Sequence, residues 1–207
     1  MAVISNGTTI ADAGAFSVSL GSMVLIKTLT ASSSSTLSFV HGSSSVVLDS
    51  TYPIYLFKFT SIHPSTDGVD FTFQGSTDTG SSYGVTTTST YFNNYANESG
   101  TATSLGYETV ADNPNNTGEI ELIREEKLSA DADHCGSGEL YLFNPSGSTF
   151  MKHYLATSQA NHAAEYTMNS FIGGYFNTTS AIDAIRFSVN SGNMATGTIK
   201  LYGIKDS

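Results

Sequence analysis

The segment from Pro53 to Ile62 alternates with a period of two: Tyr55, Phe57 and Phe59 fall on one side, and Leu56, Lys58 and Thr60 on the other. Successive side chains of a pleated strand point to opposite faces, so this pattern reads as a β-strand with one aromatic face. The rest of the chain repeats the theme. Met23 to Thr30, Thr36 to Val40, Val69 to Gln74, Thr86 to Phe92, Leu105 to Val110, Glu139 to Phe143, Phe150 to Ala156, Thr167 to Phe176, Ala184 to Val189 and Thr198 to Ile204 each read as strands. That makes about ten strands at the regular spacing of sandwiches and barrels.

Turn chemistry separates them. Pro64-Ser65-Thr66-Asp67-Gly68 fixes φ at Pro, bonds backbone through Asp and admits a positive φ at Gly. Phe71 and Phe73 alternate in the strand beyond it, so Pro53–Ile62 and Val69–Gln74 are expected to form a hairpin. Residues 75–106 are rich in Ser, Thr, Gly and Asn and are expected to form long exposed loops around one strand. No run of helical period is long enough to matter, and Asn161 to Glu165 is a turn of helix at most. No internal repeat is visible.

Composition agrees. Charged residues make up only 13% of the chain, against a usual ~25%, and the polar load falls on Ser, Thr, Asn and Gly. At 207 residues an all-β sandwich fits as one unit with a core that needs no staples. The expected layout is an extended N-terminal arm over residues 1–22, then one antiparallel, jelly-roll-like β-sandwich over 23–207. The arm is small and polar with scattered apolar positions, Ile4, Ile10, Phe16 and Leu20, and reads as a segment that orders against a partner or the body.

The net charge of −10 and pI near 4.6 leave no basic footprint for nucleic acid and disfavour anionic membrane surfaces. The single cysteine, Cys135, excludes an intrachain disulfide. The apolar run Met23–Leu29 is short and broken by Lys27, so neither a signal peptide nor a membrane span is expected and the chain should start in the cytosol.

There is no G-x-S-x-G elbow and no S-x-x-K. His134 and Cys135 are adjacent, with His153 and His162 downstream, and lack the paired spacing of a zinc site. Asp67, Asp70 and Asp78 near one turn, and Asp131 with Asp133, are acidic enough for calcium, although acidic turns are common without it. Glu125 and Glu126 face opposite ways on a strand, while Glu119 and Glu121 share a face in a charged edge with little to raise one pKa. The stretch from Glu108 to Glu139 carries half of the 18 carboxylates. No catalytic residue, cofactor or metal is therefore assigned. Tyr83, Tyr91, Phe92 and Tyr95, set among Gly, Ser and Asn, are candidate contacts for a partner or a glycan, or else they close the ends of the sandwich.

Several stretches resemble a family of small β-rich virion proteins of tailed bacteriophages, particularly marine ones. They are Tyr52–Gln74 (YPIYLFKFTSIHPSTDGVDFTFQ), Gly138–Asn144 (GELYLFN), Gly174–Ser180 (GYFNTTS) and Ser191–Ile204 (SGNMATGTIKLYGI). The I-H-P-x-T-D turn and the closing G-T-I-x-L-Y-G-I carry most of the likeness, which threads the chain from about residue 20 onward. The resemblance implies a non-enzymatic structural part of the virion, assembled in the host cytoplasm, as a capsid decoration, head-fibre or tail-fibre subunit. It implies other virion proteins as partners and a symmetric homo-oligomer, with a homotrimer expected. On that reading Ile4, Ile10, Phe16 and Leu20 anchor the arm to the capsid. The alternative is a tail receptor-binding module recognising host surface polysaccharide through Tyr83 to Tyr107.

Overall fold

The computed structural model describes residues 3–5, 8–12, 15–16, 22–162 and 164–205, with backbone alone described in 3–16 and 125–127. The described chain is all-β: strands account for its regular structure except for one 3-10 turn at Thr109–Ala111.

Three short strands, β1 (Val3–Ser5), β2 (Thr8–Asp12) and β3 (Ala15–Phe16), pair antiparallel in that order as a small sheet of their own. The N-terminal arm is therefore folded back on itself here and not simply extended. The side chains of Ile4, Ile10 and Phe16, and Leu20 altogether, lie outside the described residues.

The body consists of two antiparallel sheets packed as a sandwich. Its strands are β4 (Met23–Thr30), β5 (Thr36–Val40), β6 (Ile54–Pro64), β7 (Val69–Ser76), β8 (Thr87–Asn97), β9 (Thr103–Tyr107), β10 (Pro114–Asn116), β11 (Ile120–Leu128), β12 (Gly136–Phe143), β13 (Lys152–His162), β14 (Tyr166–Phe176), β15 (Ala184–Val189) and β16 (Met194–Ile204). The larger sheet runs β10-β8-β14-β13-β12-β6-β16-β4, with β9 also on β8. The smaller runs β11-β7-β15-β5. β9 and β10 share one edge of β8, at Phe92–Ala96 and Thr87–Thr88 respectively.

The expected hairpin between β6 and β7 does not form. β6 pairs with β12 and β16, whereas β7 pairs with β11 and β15, so the turn at 65–68 carries the chain across from one sheet to the other. Aromatic side chains on both strands need covering, and placing the two in opposite layers lets each cover the other: Phe59 meets Phe71 edge-on at 5.2 Å. Gly68 at the turn has φ +67°, the left-handed conformation that glycine adopts without penalty.

Tyr55, Phe57 and Phe59 face inward, at no more than 1% exposure. The alternation then breaks. Ser61 takes φ +53°, and the register slips against both neighbours of β6 at this point. This bulge adds one residue and returns Ile62 to the core, fully buried. Opposite it, Gly197 has φ +130°, and a Cβ there would approach Ile62 Cδ1 to 2.8 Å. One contiguous apolar cluster joins both sheets.

Three tyrosines, Tyr55, Tyr91 and Tyr154, are buried in it, and desolvation raises all three phenol pKa values, that of Tyr55 to about 12. A raised folded pKa contributes stability that is intact below the unfolded value near 10 and is lost as pH climbs through the folded value. The protein should therefore hold its stability to about pH 10 and lose it progressively above. A phenolate absorbance titration checks this: these rings should ionise only with unfolding, and early, reversible ionisation of all tyrosines would contradict it.

Candidate functional site

The outward face of the larger sheet carries transverse rows set by strand register. One row is apolar and aromatic across six strands: Gly173 pairs with Leu155, Leu155 with Tyr141, Tyr141 with Leu56, Leu56 with Tyr202 and Tyr202 with Leu25. Leu155 and Leu25 remain more than half exposed, and Leu56 is covered by its neighbours. A second row holds only uncharged polar groups: Asn94 opposes Asn169, Asn169 opposes Gln159, and Gln159 opposes Ser137. Ser137 Oγ accepts the Ser61 N–H at 3.0 Å, and Thr60, Thr198 and Thr30 continue the row to the edge strand.

Between the rows at the β8 side lie Phe92 and Phe171, directly paired and stacked at 4.9 Å with their planes 11° apart. Tyr107 stands opposite Phe92 on β9. Charge within these rows and the one between them is limited to the Lys58–Glu139 pair at 3.5 Å and Lys200. Three hollows open among these strands. The first, of about 450 Å³, lies over Gly173 between Leu155, Tyr175 and Thr90. A second, of about 350 Å³, is bordered by Gln159, Asn169 and Thr157. The third, of about 480 Å³, lies by Gly197.

The residues singled out in sequence are scattered. Tyr91 and Tyr95 lie on β8, which runs as a strand to Asn97 instead of ending at Phe92 in a loop. Tyr91 points inward at 1% exposure, and its hydroxyl donates to Ser170 Oγ at 2.6 Å. It cannot touch a partner or a glycan, because alternation places it on the opposite side of β8 from Phe92. Tyr91→Phe should cost about 1–2 kcal/mol, since it leaves the buried Ser170 hydroxyl without its donor. Urea denaturation checks the figure, and a loss below about 0.3 kcal/mol would contradict a buried bond there.

Tyr95 meets Tyr166 edge-on at 5.2 Å and lines a cavity of about 180 Å³ with His162 and Met168. Tyr83 lies just ahead of β8, with the Arg186 guanidinium 4.3 Å over its ring. Only Phe92 of the four stands on the outward sheet face, at 42% exposure. Asn94, Leu155, Gln159, Asn169 and Phe171 were missed. For Leu155 and Gln159 the signal is the alternation of β13, where Tyr154, Ala156, Ser158 and Ala160 face one way and His153, Leu155, Thr157 and Gln159 the other. Small inward residues and a leucine outward obscure the usual contrast.

The acidic residues are engaged by the protein itself. Glu121 pairs with Arg124 at 2.8 Å, Arg124 also reaches Glu108 at 3.3 Å, and Glu119 accepts from Thr72 at 3.1 Å. Asp78 accepts from Ser76 and from the Ser82 hydroxyl and N–H, which hold its carboxyl well down, at about 2. Asp70 bonds Asn190, and Asp67 takes the Ala130 N–H. Among the described residues no group of three or more His, Cys, Asp or Glu is arranged to hold a metal. His134 lies near Asp131 and Asp133, while His153 sits on the outward face of β13, next to Tyr175. Among the described residues no helix is long and apolar enough to cross a membrane.

Comparison with protein-family models, with curated proteins and with solved structures gives no match to this chain.

Proposed function

We propose that this chain is a non-enzymatic structural protein of a bacteriophage virion, a capsid decoration or head-fibre subunit assembled as a homotrimer in the host cytoplasm. The strand order is the observation that carries the reading. Set aside two insertions into the larger sheet, β8–β10 and β13–β14, and number the remaining body strands in chain order. The sheets then read 1-8-3-6 and 2-7-4-5. This order supports a jelly-roll reading, the double Greek key used in virus shells and in lectin domains. The stretches that resemble phage virion proteins include β6, β12 and β16, which lie side by side in the larger sheet.

In solution the protein should scatter light as a trimer and sediment with capsids. A monomer that stays in the supernatant would contradict the reading. A second reading, a receptor-binding module for host surface polysaccharide, is favoured by one feature: the sparsely charged face of rings and amides on the larger sheet, which takes the place of the Tyr83–Tyr107 loops.

A further inference from the structure

We infer that the outward face of the larger sheet binds an uncharged polysaccharide laid across its strands, with sugar rings on the Phe92–Phe171 stack and on Leu155, and sugar hydroxyls on Asn94, Asn169 and Gln159. The inference rests on the second reading above and is independent of where on a particle the protein sits.

The chemistry of the face selects the ligand. The flat CH faces of a sugar ring suit an exposed aromatic pair; Phe92 and Phe171 stack face to face, which leaves the outer face of each ring and the upper edges of the pair for a sugar to pack on. Neighbouring hydroxyls on a sugar donate and accept together, as a carboxamide does. The Asn169 amide nitrogen already donates to the Ser158 carbonyl at 2.9 Å, and that of Gln159 to Thr167 Oγ1 at 2.9 Å. These bonds fix both amides in the sheet surface with their oxygens as acceptors. A hollow of about 450 Å³ lies over Gly173, next to Leu155 and two residues along β14 from Phe171.

Charge argues the same way. The chain carries −10, yet these rows and the one between them hold a single ion pair and Lys200. An acidic polymer would meet no cationic track there, and nucleic acid would require one. A second copy of this chain would have to bury the whole amide and hydroxyl row against groups that complement it one by one, whereas a sugar brings such hydroxyls on every ring. From β8 to β4 the face spans six strand spacings, roughly 29 Å, which is room for several sugar units end to end.

The test uses the full-length protein on an array of bacterial O-polysaccharides and capsules with neutral glucans and galactans, and with alginate and hyaluronan as acidic polymers. Binding to at least one neutral polymer is expected, undiminished in 1 M salt, with none to the acidic ones. Two variants should each weaken it at least tenfold: Asn169→Ala with Gln159→Ala, and Gly173→Ile. The second fills the hollow with a strand-favouring side chain where the nearest atom to a new Cβ is Leu155 Cδ2 at 3.4 Å. Tyr83→Ala should leave binding unchanged. Melting temperatures keep folding separate from binding.

Absence of binding to every polymer overturns the inference, as does binding that these variants spare or that salt abolishes. So does a change of oligomeric state in the variants without glycan binding, which would make the face a contact between copies. The same variants are tested for sedimentation with capsids. If no polymer binds while sedimentation persists, the polysaccharide reading falls and the virion reading stands.

Discussion

Replacing Phe187 by alanine is expected to destabilise the protein by about 3–5 kcal/mol, the largest effect of any single side chain on β15. The ring is fully buried on the smaller sheet. It stacks on Phe71 at 5.9 Å, tilts against Phe73 at 6.3 Å and meets Phe39 edge-on at 6.2 Å within that layer. It also reaches Phe57 of the larger sheet at 5.5 Å, so it ties the two layers together. Truncation removes the transfer energy of the ring and leaves a cavity whose walls are other rings held by their own strands, so little collapse can refill it. The midpoint of urea unfolding should fall with the slope unchanged. Leu155→Ala, on the outward face, serves as the control and should cost under about 1 kcal/mol. A Phe187→Ala protein within about 1 kcal/mol of the parent would mean that the sheets are not held together at this ring.

Lys152→Met should come next, at about 2–4 kcal/mol. Lys152 is 1% exposed. Its Nζ donates to the carbonyls of Phe150 at 2.8 Å and Thr179 at 2.9 Å, with Thr178 further off at 3.5 Å. Burial pushes its pKa down, because the charged form gives up water for carbonyl dipoles alone. The ammonium thereby fastens the β12–β13 loop to the β14–β15 loop, beside the Ile182 N–H to Pro145 carbonyl bond at 2.9 Å. Methionine keeps the stem and the packing but leaves two part-buried carbonyls without their donor, each costing about 1–2 kcal/mol. Amide exchange in both loops should quicken along with the loss of stability. If the variant matches the parent in stability and exchange, the bonds to Lys152 carry no net energy.

The strands that the sequence made legible were those with a single clear face. β4, β5 and β15 have the predicted bounds, and β6 shows its rings plainly, since inward aromatics on a two-residue period have few other readings. What failed to show was anything set by pairing between distant strands. The β6–β7 connection has good turn chemistry for a hairpin, and only the partners of each strand reveal that it crosses between layers. β8 runs past Phe92 although Asn93, Asn94 and Asn97 are poor strand formers; pairing along its whole length with β14 overrides that preference. The candidate face was the least legible part. Asn94, Asn169 and Gln159 are distant in sequence and become one row only through register. Tyr91 misled for the converse reason: a tyrosine among Thr and Asn looks exposed, but its neighbours' alternation puts it in the core with Ser170 as partner.

The proposed place of this chain in a phage particle is open to a direct test with gold-labelled antibody against it on purified intact virions. Labelling of the particles is expected, regularly placed on the heads and removed by competition with the free protein. Unlabelled particles, with the chain confined to the soluble fraction of the lysate, would contradict it.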